Sequence, residues 1–378
     1  MKKVIFVYGN LPAYRRDFFT NLSKELDRNG IEMKVFYGHN LVKKTPQDDS
    51  KNYKTEKFPT KKLNLKFLYF YTLPGLYEHI KQENPDGIIF QFNQTNLSQW
   101  QVLRYCKKNN IPYAIWGCNY TRADLNGILA KLRERIYHKI YKNATMLIPY
   151  GTLYRDYFLR LGIEKEKIVV AQNTINVEAI VKKYAELPEK NVENKTVKIL
   201  YVGALSKQKR VETAIDAVAK MIEEGYDVIF DVVGGGFDLE PLKNYLSQKS
   251  ELVKSKIKIH GAKYEEELEK FFVNADLFLM PGIGGLGVNE AMAYGLPIIS
   301  TNGDETVYDL IDGNGYLLQN FGDTDEQVKY LKMFLALSSK ERQEMGRKSR
   351  DIILSKASLK NMVQSHLRAI KLMIGKKM

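Results

Sequence analysis

The chain has 378 residues, enough for two domains of ordinary size. Apolar residues make up 44% and charged residues 27%, which excludes a disordered chain. The formal charge of +14 points to an anionic partner: nucleic acid, an acidic membrane surface or a phosphorylated ligand.

The charge is unevenly placed. Residues 1–190 hold 32 Lys and Arg against 18 Asp and Glu, whereas residues 191–378 hold 26 of each. The first half also carries 16 of the 24 Tyr and both Trp, Trp100 and Trp116, so the halves are expected to do different work. Cys106 and Cys118 make neither a disulfide framework nor a CxxC pair, and a reducing, cytosolic compartment is expected.

The opening apolar run stops at Gly9-Asn10. It is too short for the core of a signal peptide and reads as a buried strand over residues 3–8. Residues 16–29 read as a helix with Phe18, Phe19, Leu22 and Leu26 on one face. Strands are predicted at 33–36, 87–90, 113–116, 145–149 and 168–171, with a helix at 76–82. The longest apolar-aromatic stretch, residues 67–77, is broken by Thr72, Pro74 and Gly75. It cannot cross a bilayer, which takes about 20 residues, so a soluble or peripheral protein is expected.

Residues 182–197 are polar, carry Pro188 and read as a linker. The pattern then restarts, with strands at 198–202, 228–233, 257–260, 276–280 and 298–300. Helices are predicted at 210–223, 239–247, 265–273 and 288–293, and three more at 324–337, 339–355 and 359–374. Strand–helix alternation with runs of Val and Ile predicts an α/β protein with two parallel sheets, each covered on both faces. Such sheets bind ligands beyond the C-terminal ends of their strands.

Several chemistries are missing from the sequence. There is no GxxxxGK[ST] phosphate loop and no HExxH. Gly234-Gly235-Gly236 follows a strand, but Leu239 stands where a dinucleotide fingerprint needs its third Gly. Asp323-Thr324-Asp325 has the form of a metal-holding Asp-x-Asp, yet its place before a helix reads as a cap. No nucleic-acid module is recognised. No metal and no cofactor are expected.

The informative stretch is residues 275–300, ADLFLMPGIGGLGVNEAMAYGLPIIS. A strand ends at Pro281, and Gly282, Gly284, Gly285 and Gly287 crowd the loop that opens a helix. Glycines let backbone N–H groups approach a phosphate, and a helix N-terminus favours anions. Glu290, read as lying in the first helical turn, could accept hydrogen bonds from the vicinal hydroxyls of a ribose. It could equally be a carboxylate that answers the helix dipole. Lys209, after the first strand of this half, faces the same edge and could neutralise a diphosphate.

These residues resemble the retaining glycosyltransferases of family 4, of the kind that build bacterial cell-surface polysaccharides. Gly203-Ala204-Leu205 with Lys209-Arg210 stands for the family's Gly-Arg-Leu…Lys-Gly. Gly234-Gly235-Gly236, Ile259-His260-Gly261 and Ala275-Asp276 through Pro281 match its next three segments. Gly285-Leu286 through Pro297 matches its Gly-Leu-x-x-x-Glu-Ala-x-Ala-x-Gly-x-Pro. In the first half, residues 12–19 and 161–173 match more loosely. The resemblance implies the GT-B fold, two Rossmann-like doubly wound domains facing a central cleft. The expected division is an acceptor domain at 1–181, a linker at 182–197, a nucleotide-sugar domain at 198–355, and a C-terminal helix at 356–378 returning to the first domain.

The resemblance also assigns roles. Lys209 would bind the donor diphosphate, with Gly203 and Arg210 beside it. Gly284, Gly285 and Leu286 would offer N–H groups, and Glu290 would hold the ribose. Ala262 and Lys263 would lie near the base, and Gly9 and Asn10 would face the donor across the cleft. Lys209 and Glu290 are the candidate catalytic residues. The chain departs from the family at Ala204, where Arg is usual, at Gly282, where an acid is usual, and at Cys118, where a sugar-contacting His is usual.

The implied reaction moves a sugar from a nucleoside-diphosphate sugar to a glycan or lipid-linked acceptor, with retention and without a metal. Its setting would be the cytoplasm, peripheral to the inner face of the cell membrane. The alternatives are a GT-B-fold epimerase and a non-catalytic nucleotide-sugar-binding subunit. Two basic aromatic segments, 54–71 and 128–142, are expected to meet an anionic membrane or the acceptor, through Lys61, Lys62, Lys66, Arg133 and Arg135. In the second segment the stripe Ile128, Leu132, Ile136 and Ile140 is expected to pack on the sheet.

Overall fold

The computed structural model describes residues 1–39, 47–48, 51–65, 68–117, 128–185, 196–303 and 305–375. It forms two compact units, Met1–Gln172 with Lys360–Met378, and Asn173–Leu359.

The first unit runs β1 (Lys2–Asn10), α1 (Arg16–Arg28), β2 (Ile31–Gly38), β3 (Lys54–Phe58), β4 (Lys61–Leu65), β5 (Leu68–Thr72), α2 (Leu76–Glu83), β6 (Gly87–Phe90), α3 (Leu97–Lys108), β7 (Tyr113–Trp116), α4 (Ile128–Asn143), β8 (Met146–Ile148) and α5 (Thr152–Arg160). Six strands form one sheet in the order β3-β2-β1-β6-β7-β8, every pair parallel. β4 and β5 pair as a separate antiparallel hairpin. The central strand β1 is buried from Val4 to Tyr8, as a strand covered on both faces must be. The predicted strand at 168–171 is absent as such, since only Ile168 makes a bridge, to Leu147.

The second unit runs α6 (Val177–Ala185), β9 (Val197–Val202), α7 (Val211–Glu223), β10 (Val228–Val233), α8 (Leu239–Ser247), α9 (Glu251–Lys256), β11 (Ile257–Gly261), α10 (Glu265–Asn274), β12 (Leu277–Met280), α11 (Leu286–Ala293), β13 (Ile298–Thr301), α12 (Glu305–Leu310), β14 (Gly315–Leu318), α13 (Thr324–Leu335) and α14 (Ser339–Lys356). Its sheet has the order β11-β10-β9-β12-β13-β14, again all parallel. The order reverses direction between β9 and β12, which is where a doubly wound sheet opens its ligand crevice. Ser338 and Glu341 close a capping box at the start of α14.

The last helix, α15 (Leu359–Gly375), belongs to the first unit from Lys360 onward. His366 sits edge-on to Phe18 and Trp116, and Lys2 donates to the Ile374 carbonyl at 2.9 Å. The first unit's opening segment ends at Gln172, earlier than the expected boundary at 181, because α6 packs with α11 and α14 of the second unit. The expected linker overlaps α6 up to Ala185, and its residues 186–195 lie outside the described residues.

α4 corrects an expectation. Tyr137, Ile140 and Tyr141 are buried, while Leu132 is 52% and Ile136 40% exposed. The broad Tyr137 and Tyr141 rings take the inward side. At about 100° per residue this turns Leu132 and Ile136 outward.

Candidate functional site

The site of the second unit lies at the C-terminal edge of its sheet. There the strand-end loops press together so closely that side chains are excluded. A Cβ on Gly234 would collide with the Gly203 carbonyl, and one on Gly236 with that of Leu205. On Gly287 it would lie 2.7 Å from the Val202 carbonyl oxygen. Gly234 N–H donates to the Gly261 carbonyl at 2.9 Å, which locks the third loop to the second. Ala262, exposed beyond that strand, comes within 3.2 Å of where a Gly235 Cβ would stand. Lys263 is turned to its own helix and pairs with Glu267 at 3.3 Å.

The Gly-rich loop at 281–285 is held from three sides. Lys209 donates to the carbonyls of Ile283 at 2.5 Å and Gly284 at 2.8 Å. Ile283 N–H donates to Gln208 at 3.0 Å, and the Thr301 hydroxyl donates to the Gly282 carbonyl. Gly303 packs so closely that a Cβ there would lie 2.5 Å from Ile283 Cα. Lys209 therefore shapes the loop as well as placing a charge beside it. Gly282 has no room for a side chain, since a Cβ would strike the Gln208–Lys209 backbone. The missing acid is thus a steric fact of this loop.

Gly284 is buried, Gly285 is the N-cap of α11 and Leu286 its first residue. Glu290 is the fifth residue of α11, beyond the first turn where the sequence placed it. Its carboxyl has no hydrogen-bond partner among the described residues, and burial pushes its pKa up to about 7. The distance from the helix N-terminus and the direction of the shift both argue against a carboxylate held by the helix dipole.

Arg210 sits in the left-handed region, φ 51°, as the N-cap of α7. A non-glycine residue there costs roughly 1 kcal/mol, which explains why Gly suits this position. Its stem lies against Gly322, and the residue is exposed.

Asn289, Thr301 and Gly303 were not legible as site residues. Asn289 is buried and donates to the Asn173 carbonyl at 2.9 Å, fixing α11 to the start of the unit. Asn302 turns a buried carbonyl oxygen toward no partner among the described residues. These contacts join segments far apart in sequence, and no local spacing announces them. Asp323 accepts from Glu326 N–H at 2.9 Å, so it caps α13, and its neighbour Asp325 pairs with Lys220.

In the first unit, a Cβ on Gly9 would lie 2.5 Å from the Tyr71 hydroxyl, and Asn10 ends β1 opposite Gly38. Lys61 and Lys62 are exposed on β4, and Arg135 is exposed on α4. Arg133 lies over the Tyr137 ring, 5.7 Å from its centroid. Cys118 and Lys66 lie outside the described residues. The ends of β1 and β7 carry a ring cluster. Tyr8 and Trp116 meet edge-on at 5.4 Å, and the buried Arg15 guanidinium stands 5.0 Å over Trp116. His366 donates from Nδ1 to the Met362 carbonyl at 2.8 Å and is held neutral, its pKa lowered by burial to about 3.

Two doubly wound units with the same strand order, one ending in a glycine-packed loop against a helix N-terminus, define the GT-B class. The comparisons place the chain within it. The glycosyl transferases group 1 model matches residues 169–352, and the Glycosyltransferase Family 4 model matches residues 18–179. Together they run through residues 18–352, and the chain belongs to the family 4 glycosyltransferases of GT-B fold.

Among its relatives is the putative colanic acid biosynthesis glycosyltransferase WcaL of Escherichia coli. It is 23% identical over 174 residues, 44% of this chain and 41% of that protein. The amylovoran biosynthesis glycosyltransferase AmsK of Erwinia amylovora is 26% identical over 178 residues, 44% of this chain and 42% of that protein. The chain spans 41% to 56% of the length of the curated relatives it matches most strongly. In fold it is similar to Anabaena Alr3699/HepE, crystallised with UDP, with a TM-score of 0.71 at 15% identity over 98% of this chain and 100% of that one. Sucrose-phosphate synthase of Thermosynechococcus elongatus has a TM-score of 0.70 at 16% identity over 99% and 100%.

Among the described residues, no helix is long and apolar enough to cross a membrane.

Proposed function

We propose that the protein is a glycosyltransferase of cell-surface polysaccharide synthesis. It moves a sugar from a nucleoside-diphosphate sugar to a hydroxyl of a lipid-linked glycan. The observation that carries this reading is Glu290: a half-buried residue whose desolvated carboxyl has no partner among the described residues, one helix turn beyond a glycine loop that Lys209 organises. A ribose diol would satisfy that carboxyl, and the loop would receive the diphosphate. The named activities of WcaL and AmsK, and the UDP bound by HepE, support the same reading.

The bond to break joins the anomeric carbon to a phosphate oxygen. The diphosphate leaves as an anion, so the protein does not need to protonate it. Its growing charge would be met by the Lys209 ammonium and the backbone N–H groups at the start of α11, with no divalent ion required. Holding donor and acceptor in line of attack supplies much of the remaining acceleration. Gly282 leaves no carboxylate at the position where a covalent nucleophile would stand. Attack from the face the diphosphate leaves, with the leaving phosphate taking the acceptor proton, gives retention without one. The first unit would bind the acceptor at the inner face of the cell membrane, where its basic surface meets acidic lipid.

The test has two parts. A thermal-shift panel of UDP, GDP, ADP and their sugars should show one base raising the midpoint by about 2–4 °C at 100-fold excess over Kd. Supplied with that donor, the protein should turn it over quickly only when a glycan acceptor is present. Rapid conversion of the donor alone would make the protein an epimerase. Donor binding without turnover on any acceptor would make it a binding subunit.

A further inference from the structure

The first unit ends its sheet in a polar cluster that the donor site does not use. Tyr8 lies near the end of β1, Trp116 ends β7, and Arg15 stands in the turn between β1 and α1. All three are at the carboxyl edge of a parallel sheet. The strand order reverses between β1 and β6, and doubly wound sheets bind ligands outside that edge.

Two neighbouring arginines take opposite directions there. Arg16 is half-exposed and reaches the Asp48 carboxylate at 2.9 Å. Arg15 turns inward and is 2% exposed. Its guanidinium is bonded to the Tyr150 hydroxyl, donates to the Met362 sulfur at 3.9 Å, and lies 5.0 Å over Trp116 and 5.1 Å over Tyr14. A guanidinium this deep has given up its water. Tyr14 is the outer member of the group, half in solvent.

Beside Arg15 are polar atoms that packing does not need. The Tyr8 hydroxyl, the Trp116 indole N–H and His366 Nε2 are buried and meet no hydrogen-bond partner among the described residues. His366 Nδ1 donates to the Met362 carbonyl, so Nε2 is an acceptor, whereas the indole can only donate. Buried polar atoms in this state destabilise a fold. A cluster built for packing alone would carry phenylalanine at position 8.

We infer that Arg15, Tyr8 and Trp116 form an oxyanion subsite for the acceptor. A carboxylate or phosphate of the acceptor takes hydrogen bonds from the guanidinium, the phenol and the indole. A neighbouring hydroxyl of the same molecule donates to His366 Nε2, and Tyr14 turns aside to admit them. Hydrogen bonds between ionised partners are the strong ones, which favours an oxyanion over a neutral oxygen beside the guanidinium. The inference rests on the proposed transfer reaction and names its acceptor class, an anionic glycan.

The experiment reads Trp116 by fluorescence in the full chain carrying Trp100→Phe, which leaves Trp116 as the sole indole. The responding nucleoside diphosphate is kept saturating, so that the donor site is filled. Glucuronate and glycerol phosphate are then titrated, with glucose and glycerol as their neutral counterparts. A saturable change with at least one anion and none with the neutral compounds is expected. Which anion responds identifies the group as carboxylate or phosphate. Tyr8→Phe should weaken that anion about tenfold and leave the thermal midpoint unchanged or higher. Arg15→Gln should weaken it by about tenfold or more, and Tyr8→Phe decides the matter if that protein does not fold. No saturable response to either anion, an equal response to the neutral compounds, or undiminished affinity in Tyr8→Phe would overturn the inference. The nucleotide-induced thermal shift is measured on the same samples. That shift intact without an anion response defeats the subsite alone, while no shift with any nucleotide defeats the functional reading.

Discussion

The two units share one strand order and end their sheets in opposite ways. In the second unit the strand-end loops are packed backbone against backbone, with Gly234 on Gly203, Gly236 on Leu205 and Gly282 on Gln208–Lys209. In the first unit the ends of β1 and β7 are packed with rings: Tyr8 and Trp116 meet Phe18, Phe19 and His366, and the buried Arg15 lies over Trp116. Bare backbone offers N–H groups to a small, highly charged ligand without side chains in the way. A ring-filled edge leaves no such bare backbone.

The largest expected effect tests the ring-filled edge. Trp116→Ala should destabilise the first unit by about 3–5 kcal/mol, because it empties the centre of that cluster. Denaturant unfolding would show it, and a loss below 1 kcal/mol would mean the rings are not what closes the edge. Next is Gly234→Ala. It forces a Cβ into the Gly203 carbonyl and should cost about 1–3 kcal/mol, with loss of the nucleotide-induced thermal shift. Retention of the full shift would show that the close backbone packing is not needed for the ligand.

Glu290 makes the second unit's stability depend on pH. Its pKa is about 7 in the folded protein, above the ordinary carboxylate range. Between about pH 4.5 and 7 the native state therefore holds a proton that the unfolded state has released. Stability from this group is present at low pH and falls as pH rises through that window. Glu290→Gln should remove this downward slope. An unchanged slope in denaturant titrations at pH 5 and 8 would mean the group titrates normally. The smallest effect is Ser338→Ala, which should cost about 1 kcal/mol through loss of the α14 cap and leave nucleotide binding unaltered.

How much of this was legible follows the same division. Phosphate-type loops are written locally, since glycines must stand at fixed offsets from a strand end and a helix start. Residues 281–297 therefore announced the loop, α11 and Glu290 together. The loop's supports did not, because Thr301, Gly303 and Asn289 reach it from distant segments. Arg210 was read as the first residue of a helix, and its left-handed backbone is set by the turn from Lys209. In the first unit β3 escaped notice because Lys54, Thr55, Glu56 and Lys57 carry the polar pattern of a sheet edge. The face that α4 buries depended on ring size, with Tyr137 and Tyr141 displacing the aliphatic stripe. That competition is decided by packing rather than by period.

Calorimetric titration of the responding nucleoside-diphosphate sugar into wild type and Glu290→Gln at pH 6 and pH 8 tests whether Glu290 holds the ribose. The sugar-linked diphosphate keeps its charge across this range, so a pH effect reports on the protein. A ribose diol donates to the ionised carboxylate, so wild-type affinity should rise by about tenfold between pH 6 and 8. Glu290→Gln should bind about 10- to 100-fold more weakly at pH 8 and lose the pH dependence. Wild-type affinity in Glu290→Gln at both pH values would contradict the account.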